Sequence, residues 1–385
     1  MNMRLATNKQ WAISDVEKKR LRVLHILGEL KPSGAECMLK VAVKKFESLG
    51  IDNEILSTGA ERIGSYAPMM QAVGYKVHYV PFSKSLKFFF RVYKLMQAQR
   101  YDVIHIHSER ANFWIGLIAT FVRAPRVVST VHGTFAYGGW LRLRRMVFRK
   151  LQAKLGVIRV AISKSVQEAE LKYFRSMVRV IPNWYDSQHF RPPTIEERVA
   201  ARNGFGFSSE TFVLVSVGNC STIKNHSALI EAIALLPNEI PLTYLHVGAE
   251  QIDFPERQLA RSLGVTKRIH FLGQLEDPIS ALYAADAYVM PSLHEGFGNA
   301  ALEAFAVGLP AILSNVSGLK DFGMTYRSIV YSDPDAESLA KAITEFARTN
   351  GKIRSDITRD YSRLSRERFG VDIGVVRYVE LYRSS

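Results

Sequence analysis

Two glutamates, Glu295 and Glu303, stand eight positions apart in PSLHEGFGNAALEAFAVGLPAI (291–312), the first beside glycines and the second inside an alanine-rich apolar segment. Carboxylates accept hydrogen bonds from hydroxyl groups. Glycines ahead of a helix allow close backbone approach, and the helix start offers unpaired N–H groups to an anion. The preceding AYVMPS has the composition of a buried strand and Asn299 is a good capping residue. Gly296, Phe297 and Gly298 are therefore expected in the loop at that strand's carboxyl end, with Glu303 about one turn into the next helix. Two acceptors flanking a phosphate cradle suit a nucleotide sugar, one carboxylate for the sugar and one for the ribose. Spacing alone fits equally well a loop charge and an exposed helix glutamate.

The elements that would position these residues alternate along the whole chain. LRVLHIL, NEILST, YKVHYV, DVIHIH, RVVSTV, RVAIS and VRVIP read as strands in the first half, and FVLVSVGN, LTYLHVG, RIHFLG, AYVMPS, PAILSN and SIVYS in the second, with helical patterns between most of them. Such alternation predicts an α/β fold of two doubly wound parallel-sheet domains facing one another across a cleft. IPNWYDSQHFRPPT (181–194) breaks the pattern with prolines and polar residues and is the linker candidate. The expected division is a flexible extension over 1–20, an amino-terminal domain over 21–185, a donor domain over 186–365 and a terminal amphipathic helix over 366–385 that can pack on either domain.

The 385 residues have a mean hydropathy of −0.02 and can bury a sizeable core. No apolar run reaches the roughly 18–20 residues of a spanning helix, and the polar start lacks the pattern of a secretory signal, so a cytoplasmic protein is expected. Cys37 and Cys220 lack metal-ligand spacing and read as reduced structural thiols. Charge is lopsided: residues 1–194 hold 32 Lys and Arg against 13 Asp and Glu, the remainder 19 against 23. This is a one-sided field, concentrated where SLKFFFRVYKLMQAQR (85–100) and WLRLRRMVFRKLQAKLG (140–156) interleave cations with aromatic and aliphatic residues. Such helices suit an anionic membrane surface, and equally an ordinary core-facing helix with a basic solvent face.

HEGFGNAALEAFAVGLPAI resembles the E-x7-E signature of the retaining glycosyltransferases of family 4, which have the GT-B fold, and KPSGAE, VHGTF, AISKS, VIPNWYDSQHF, VGNCSTIKNH and FLGQLEDPISALYAADAYVMPS follow the family's order. The resemblance covers nearly everything after about residue 20. It implies that Glu295 contacts a donor-sugar hydroxyl, that Glu303 binds the ribose, and that the backbone of Gly296, Phe297, Gly298 and Asn299 approaches sugar and phosphate. It also implies that Gly34 admits the diphosphate, that His132 lies beside the donor sugar and that Lys224 contacts the diphosphate. Taken singly, Gly34 needs no function, His132 fits a structural histidine, Lys224 a solvated charge and Phe297 an aromatic anchor. One departure stands out: the family commonly has arginine five positions before the lysine, where this chain has Asn219. Losing a guanidinium removes a charge-assisted contact to the leaving group, leaving Ser221, Thr222, the glycine loop and the helix start as candidates.

The implied reaction is transfer of a hexose with retention from a nucleotide diphosphosugar, most readily a UDP-sugar, to a glycan hydroxyl. Its catalysis would rest on stabilising an oxocarbenium-like centre and the departing diphosphate, with His132 and Glu295 as positioning and electrostatic residues. No metal and no tightly bound cofactor are expected. The acceptor is expected to be lipid-linked, in cell-surface polysaccharide or glycoconjugate assembly, on a peripheral enzyme at the inner face of the membrane. Alternatives are a nucleotide-sugar 2-epimerase of the same architecture, a phosphorylase with lysine-bound pyridoxal phosphate, and a basic nucleic-acid-binding protein, for which no motif occurs.

Overall fold

The computed structural model describes residues 19–237, 239–348 and 351–384. In the first half the order is β1 (Leu21–Leu27), α1 (Gly34–Ser48), β2 (Ile51–Ser57), α2 (Ala67–Ala72), β3 (Lys76–Tyr79), α3 (Leu86–Gln99), β4 (Val103–Ile106), α4 (Asn112–Phe121), β5 (Arg126–Val131), α5 (Gly139–Lys154), β6 (Ile158–Ala161), α6 (Lys164–Phe174) and β7 (Arg179–Val180). These strands form one parallel sheet in the order β3-β2-β1-β4-β5-β6-β7. β1 and β4 are buried along most or all of their length, which is why they read as apolar runs instead of alternating ones.

The second half continues with α7 (Ile195–Gly204), β8 (Phe212–Val217), α8 (His226–Leu235), β9 (Leu242–Val247), α9 (Pro255–Ser262), β10 (Ile269–Phe271), α10 (Ile279–Ala284), β11 (Ala287–Met290), α11 (Asn299–Ala306), β12 (Ala311–Ser314), β13 (Val330–Ser332), α12 (Ala336–Ala347), α13 (Gly351–Phe369) and α14 (Val371–Arg383). Its parallel sheet runs β10-β9-β8-β11-β12-β13. Strand order reverses between β1 and β4 in one sheet and between β8 and β11 in the other, so each has a crevice at its carboxyl edge where loops diverge. The two sheets give the expected GT-B architecture.

The chain crosses between the sheets twice. Residues 181–194 hold no helix, yet Asn183, Trp184 and Tyr185 are buried, so the linker candidate is a packed crossing. It lies against the return crossing, where Tyr185 N donates to Phe369 O (3.2 Å) and Val371 N to Tyr185 O (3.1 Å). α14 then seats Val375, Tyr378 and Tyr382 in the core of the first sheet beside α1 and Trp184. Each such side chain stabilises by roughly 1.5–3 kcal/mol on burial. Residues 1–18 of the expected flexible extension lie outside the described residues. Lys19 and Arg20 pair with Asp102 and Asp52.

The two basic helices have different characters. α3 buries Phe88, Val92 and Met96, an ordinary core-facing stripe. α5 is inverted: its buried residues are Arg149 and Gln152. Arg149 donates to both carboxylate oxygens of Glu170 (2.8 Å each), while Trp140, Leu143, Val147 and Leu151 form an exposed stripe among Arg144, Lys150 and Lys154. α5 thus faces inward through Arg149 and Gln152, with Phe148 part-buried and stacked on Phe113 at 3.7 Å between ring centroids.

Candidate active site

The loop after β11 is held by packing. Phe297 is buried against Phe322 and Phe369, at ring-centroid distances of 5.1 and 5.8 Å. Its ring is the aromatic anchor of the loop, which leaves the loop's backbone as the part that can approach a ligand. Gly298 has φ +96° and is itself the cap position of α11, with Asn299 as the first helical residue. Asn299 therefore does not cap the helix. Its Oδ1 accepts from Asn183 Nδ2 (2.7 Å), and its Nδ2 lies where a β-carbon on Gly34 would stand, at 2.6 Å. Gly34, Asn299 and the interdomain crossing thus meet at one point, where the start of α1 faces the start of α11.

Gly296 touches the opposite domain. A β-carbon there would lie 2.3 Å from the carbonyl oxygen of His132, a contact that only glycine permits. Ser163 Oγ accepts from Val166 N at the start of α6 and donates to Gly296 O (2.7 Å), and Thr134 bonds His294. Asp321 accepts from Ser165 N and Oγ, both at 2.7 Å, in the first turn of α6. The loops after β5 and β11 therefore meet across the cleft through main-chain and hydroxyl contacts.

Glu295 and Lys224, 71 residues apart, are joined: Nζ lies 2.6 Å from Oε1, which also accepts from Ser292 Oγ (2.9 Å). Lys224 is therefore ion-paired and only part-exposed, and it stands ahead of the helix, for α8 begins at His226. Its three N–H donors allow it to keep Glu295 while serving a second anion. Ser221 is exposed and its Oγ accepts from Lys224 N (3.3 Å). Asn219, at the arginine position, turns its Oδ1 to Ala249 N (2.9 Å) and so braces the loop after β9.

Glu303 is half-buried, without a hydrogen-bond partner among the described residues. Burial, followed by the negative charge of Asp277, raises its carboxyl to about 8. Glu303 is therefore not an exposed surface charge. Cys37, in the first turn of α1, lies near enough that Glu303 adds to the burial that raises its thiol.

Sequence reading missed the company of His132. Its Nε2 lies 3.1 Å from His107 Nδ1, and His107 Nε2 lies 3.1 Å from His25 Nδ1. His105 packs on His107 with ring centroids 4.0 Å apart and the planes tilted by 34°. The signal was present: His105 and His107 alternate in DVIHIH and share a sheet face, and parallel pairing sets His105 beside His25. His25, His105 and His107 bring three ring nitrogens within 4.8 Å of one another. Every ring nitrogen of these three already has a partner, since His25 Nε2 meets Asn53 Oδ1 (3.0 Å) and His105 meets Tyr382 OH (2.6 Å) and Thr130 Oγ1 (2.8 Å). The cluster is therefore a hydrogen-bonded array with no nitrogen left over for a metal.

A separate hollow of about 400 Å³ opens at the amino ends of β8 and β9, lined by Ser209, Thr211, Pro237 and Pro241. It lies at the opposite end of the second sheet, and none of the candidate residues lines it.

Residues 198–362 match the family described as glycosyl transferases group 1, and residues 32–189 match glycosyltransferase family 4. The chain is 30% identical over 249 residues to the Escherichia coli UDP-Gal:alpha-D-GlcNAc-diphosphoundecaprenol alpha-1,3-galactosyltransferase, covering 61% of this chain and 63% of that protein. It is 26% identical to the D-inositol 3-phosphate glycosyltransferase of Corynebacterium urealyticum over 74% of this chain and 72% of the relative. The first relative is thus matched over less than two thirds of its length. Among solved structures, a glycosyltransferase from Rickettsia africae superposes with a TM-score of 0.83 at 20% identity, covering 95% of this chain and 98% of that one. The Anabaena protein HepE in complex with UDP superposes at 0.81 and 20% identity, covering 94% and 99%.

Proposed function

Since the chain belongs to the group 1 glycosyltransferases of family 4, we propose that it moves a hexose, with retention, from a UDP-sugar to a hydroxyl of a lipid-linked glycan. The observation that carries this is the pairing of two unlike carboxylates around one anion-binding helix start. Glu295 is ionically paired to Lys224, and on the far side of Gly298 burial raises the Glu303 carboxyl to about 8.

In this reading the diphosphate lies at the start of α11, against N–H groups freed by the Gly298 turn and within reach of Lys224 Nζ. Glu303 takes the ribose hydroxyls, and Glu295 a hydroxyl of the sugar. His132 lies across the cleft, at the carboxyl end of β5, where it faces the sugar. As the bond to the leaving oxygen lengthens, negative charge grows on the diphosphate, and the lysine already in place stabilises it without reorganisation. With Asn219 engaged by Ala249, Lys224 and the helix start carry that task. In this reading the acceptor enters on the face the diphosphate leaves, and a leaving oxygen assists removal of its proton. The UDP bound in the HepE structure and the UDP-galactose named for the E. coli relative support the choice of base.

The acceptor reading rests on α5. An exposed Trp140, Leu143, Val147, Leu151 stripe flanked by Arg144, Lys150 and Lys154 fits the interface of an anionic bilayer, which gains apolar burial and cation attraction together. The E. coli relative is named for a diphosphoundecaprenol acceptor. No helix among the described residues is long and apolar enough to cross a membrane. Two assays test the proposal. Transfer from UDP-hexoses to diphosphopolyprenyl saccharides, with anomeric configuration read by proton NMR, should give a retained linkage, and an inverted product or acceptor-independent isomerisation would refute it. Trp140→Ala/Val147→Ser should abolish pelleting with anionic vesicles while leaving stability within about 0.5 kcal/mol; unchanged pelleting would refute the membrane face.

A further inference from the structure

The buried histidines behind His132 form a line with a direction. Each bond in it joins two ring nitrogens 3.1 Å apart, from His132 Nε2 to His107 Nδ1 and from His107 Nε2 to His25 Nδ1. A neutral imidazole has one donor and one acceptor nitrogen. Once one end of such a line is fixed, every ring must follow. The inner end is His25 Nε2, 3.0 Å from Asn53 Oδ1, and a carbonyl oxygen only accepts. His25 therefore donates from Nε2 and accepts at Nδ1, His107 does the same, and His132 donates from Nε2 into the line.

We propose that His107 and His25 are positioning residues for His132: the line ending at Asn53 locks His132 in its Nε2–H tautomer and leaves Nδ1 as a bare acceptor facing the cleft. The inference deepens the donor-site reading and rests on it, in that His132 would accept a hydrogen bond from a donor-sugar hydroxyl, neither donating to the sugar nor acting as an acid. The surroundings keep the line intact. The cavity among His25, His105, His107, His132, Trp184 and Tyr378 holds about 10 Å³, room for about one water at most, and each nitrogen along the line already has a ring or amide partner. His105 braces the rings by close tilted packing on His107 and is itself fixed by Thr130 and Tyr382. Burial depresses all four rings, His25 and His132 to about 4, so none carries the extra proton that would set two donors face to face.

The test uses the full chain labelled with ¹⁵N-histidine. Long-range proton–nitrogen correlation at neutral pH should show His25, His107 and His132 all protonated at Nε2, with scalar coupling across both N–H···N bonds. Asn53→Asp, which keeps an acceptor at the end of the line, should retain that pattern, whereas Asn53→Leu and His107→Phe should release His132 into a tautomer mixture. The same two disruptive variants should lower kcat about tenfold, the worth of one well-placed hydrogen bond, with KM for the nucleotide sugar within about twofold. Asn53→Asp should recover most of the loss. Protonation of wild-type His132 at Nδ1, a His132 tautomer indifferent to losing His107, or ring resonances moved by stoichiometric zinc would each overturn the proposal. The wild-type spectrum decides the tautomer alone, so a variant that fails to fold leaves the test standing. If the tautomers are as stated but His132→Ala turns over normally, the donor-site reading of His132 fails and the line does not.

Discussion

Glu303 should make donor binding strongly dependent on pH, and the direction follows from its surroundings. In the free protein burial raises its carboxyl from the usual 4.5 to about 8, so at neutral pH it is mostly protonated. Ribose hydroxyls donating to it favour the charged form and lower that value in the complex. Binding below pH 8 must then release a proton. Affinity should rise by up to tenfold per pH unit between the bound and free values and level off above about 8; from about pH 6 to 8 that is at most roughly 100-fold, or about 2.7 kcal/mol. Titration calorimetry of a nucleotide diphosphosugar in buffers of different ionisation enthalpy reads affinity and proton release together. The sugar conjugate is required because a free terminal phosphate titrates near pH 6 itself. Glu303→Gln should bind more weakly at high pH and lose the slope. A wild-type affinity flat from about pH 6 to 9, or the same slope in Glu303→Gln, would refute the reasoning. Folding carries the opposite sign. A carboxyl whose native value exceeds its unfolded one holds its proton more tightly when folded, so stability falls as pH rises from about 4.5 through 8. Glu303→Gln should therefore be more stable than wild type to urea at about pH 9, with the difference vanishing near pH 4.

Three further predictions concern the frame. Gly296→Ala places a methyl 2.3 Å from the His132 carbonyl oxygen and should cost about 1–3 kcal/mol by urea unfolding while cutting turnover disproportionately; normal turnover would show that the contact between the β5 and β11 loops is dispensable. Arg149→Leu leaves Glu170, 2% exposed, with only Arg159 and should cost about 3–5 kcal/mol; replacing Glu170 as well should not restore it, because Arg159 is then buried without a carboxylate, whereas replacing Arg149, Arg159 and Glu170 together by apolar residues should restore much of it. Cys37 is exposed but its thiol is raised by burial and Glu303, so alkylation at neutral pH should be slow, and slower still with nucleotide bound. Unchanged reactivity on adding nucleotide would place the ligand away from α1.

How much of this was legible in the sequence depended on whether the signal was local. Among the described residues the central strands follow from apolar runs such as VIHI and AILS, because a parallel strand buried on both faces is apolar along most of its length, whereas the edge strands β3 and β7 and the polar start of β2 are part-exposed. The Glu295–Gly298 loop was readable because glycines, a preceding strand and a following helix stand together in sequence. The Lys224–Glu295 pair was not, since 71 residues separate its members and only the adjacency of β8 and β11 joins them. The inverted burial of α5 was hidden for the same reason: its period admits two opposite faces, and Glu109 and Glu170, which decide between them, lie on other elements. The histidine line was half legible, as HIH on one strand, but its direction depends on Asn53 two strands away.

The central claim is that one nucleotide sugar spans Gly298, with its ribose at Glu303 and its sugar at Glu295. A crystal structure of the protein with an intact, slowly hydrolysed UDP-sugar tests it most directly. The account predicts ribose hydroxyls within hydrogen-bonding distance of the Glu303 carboxylate, the diphosphate at the start of α11 beside Lys224 Nζ, and the sugar between Glu295 and His132. A nucleotide bound in the reverse sense, or seated away from the carboxyl ends of β8 and β11, would contradict it.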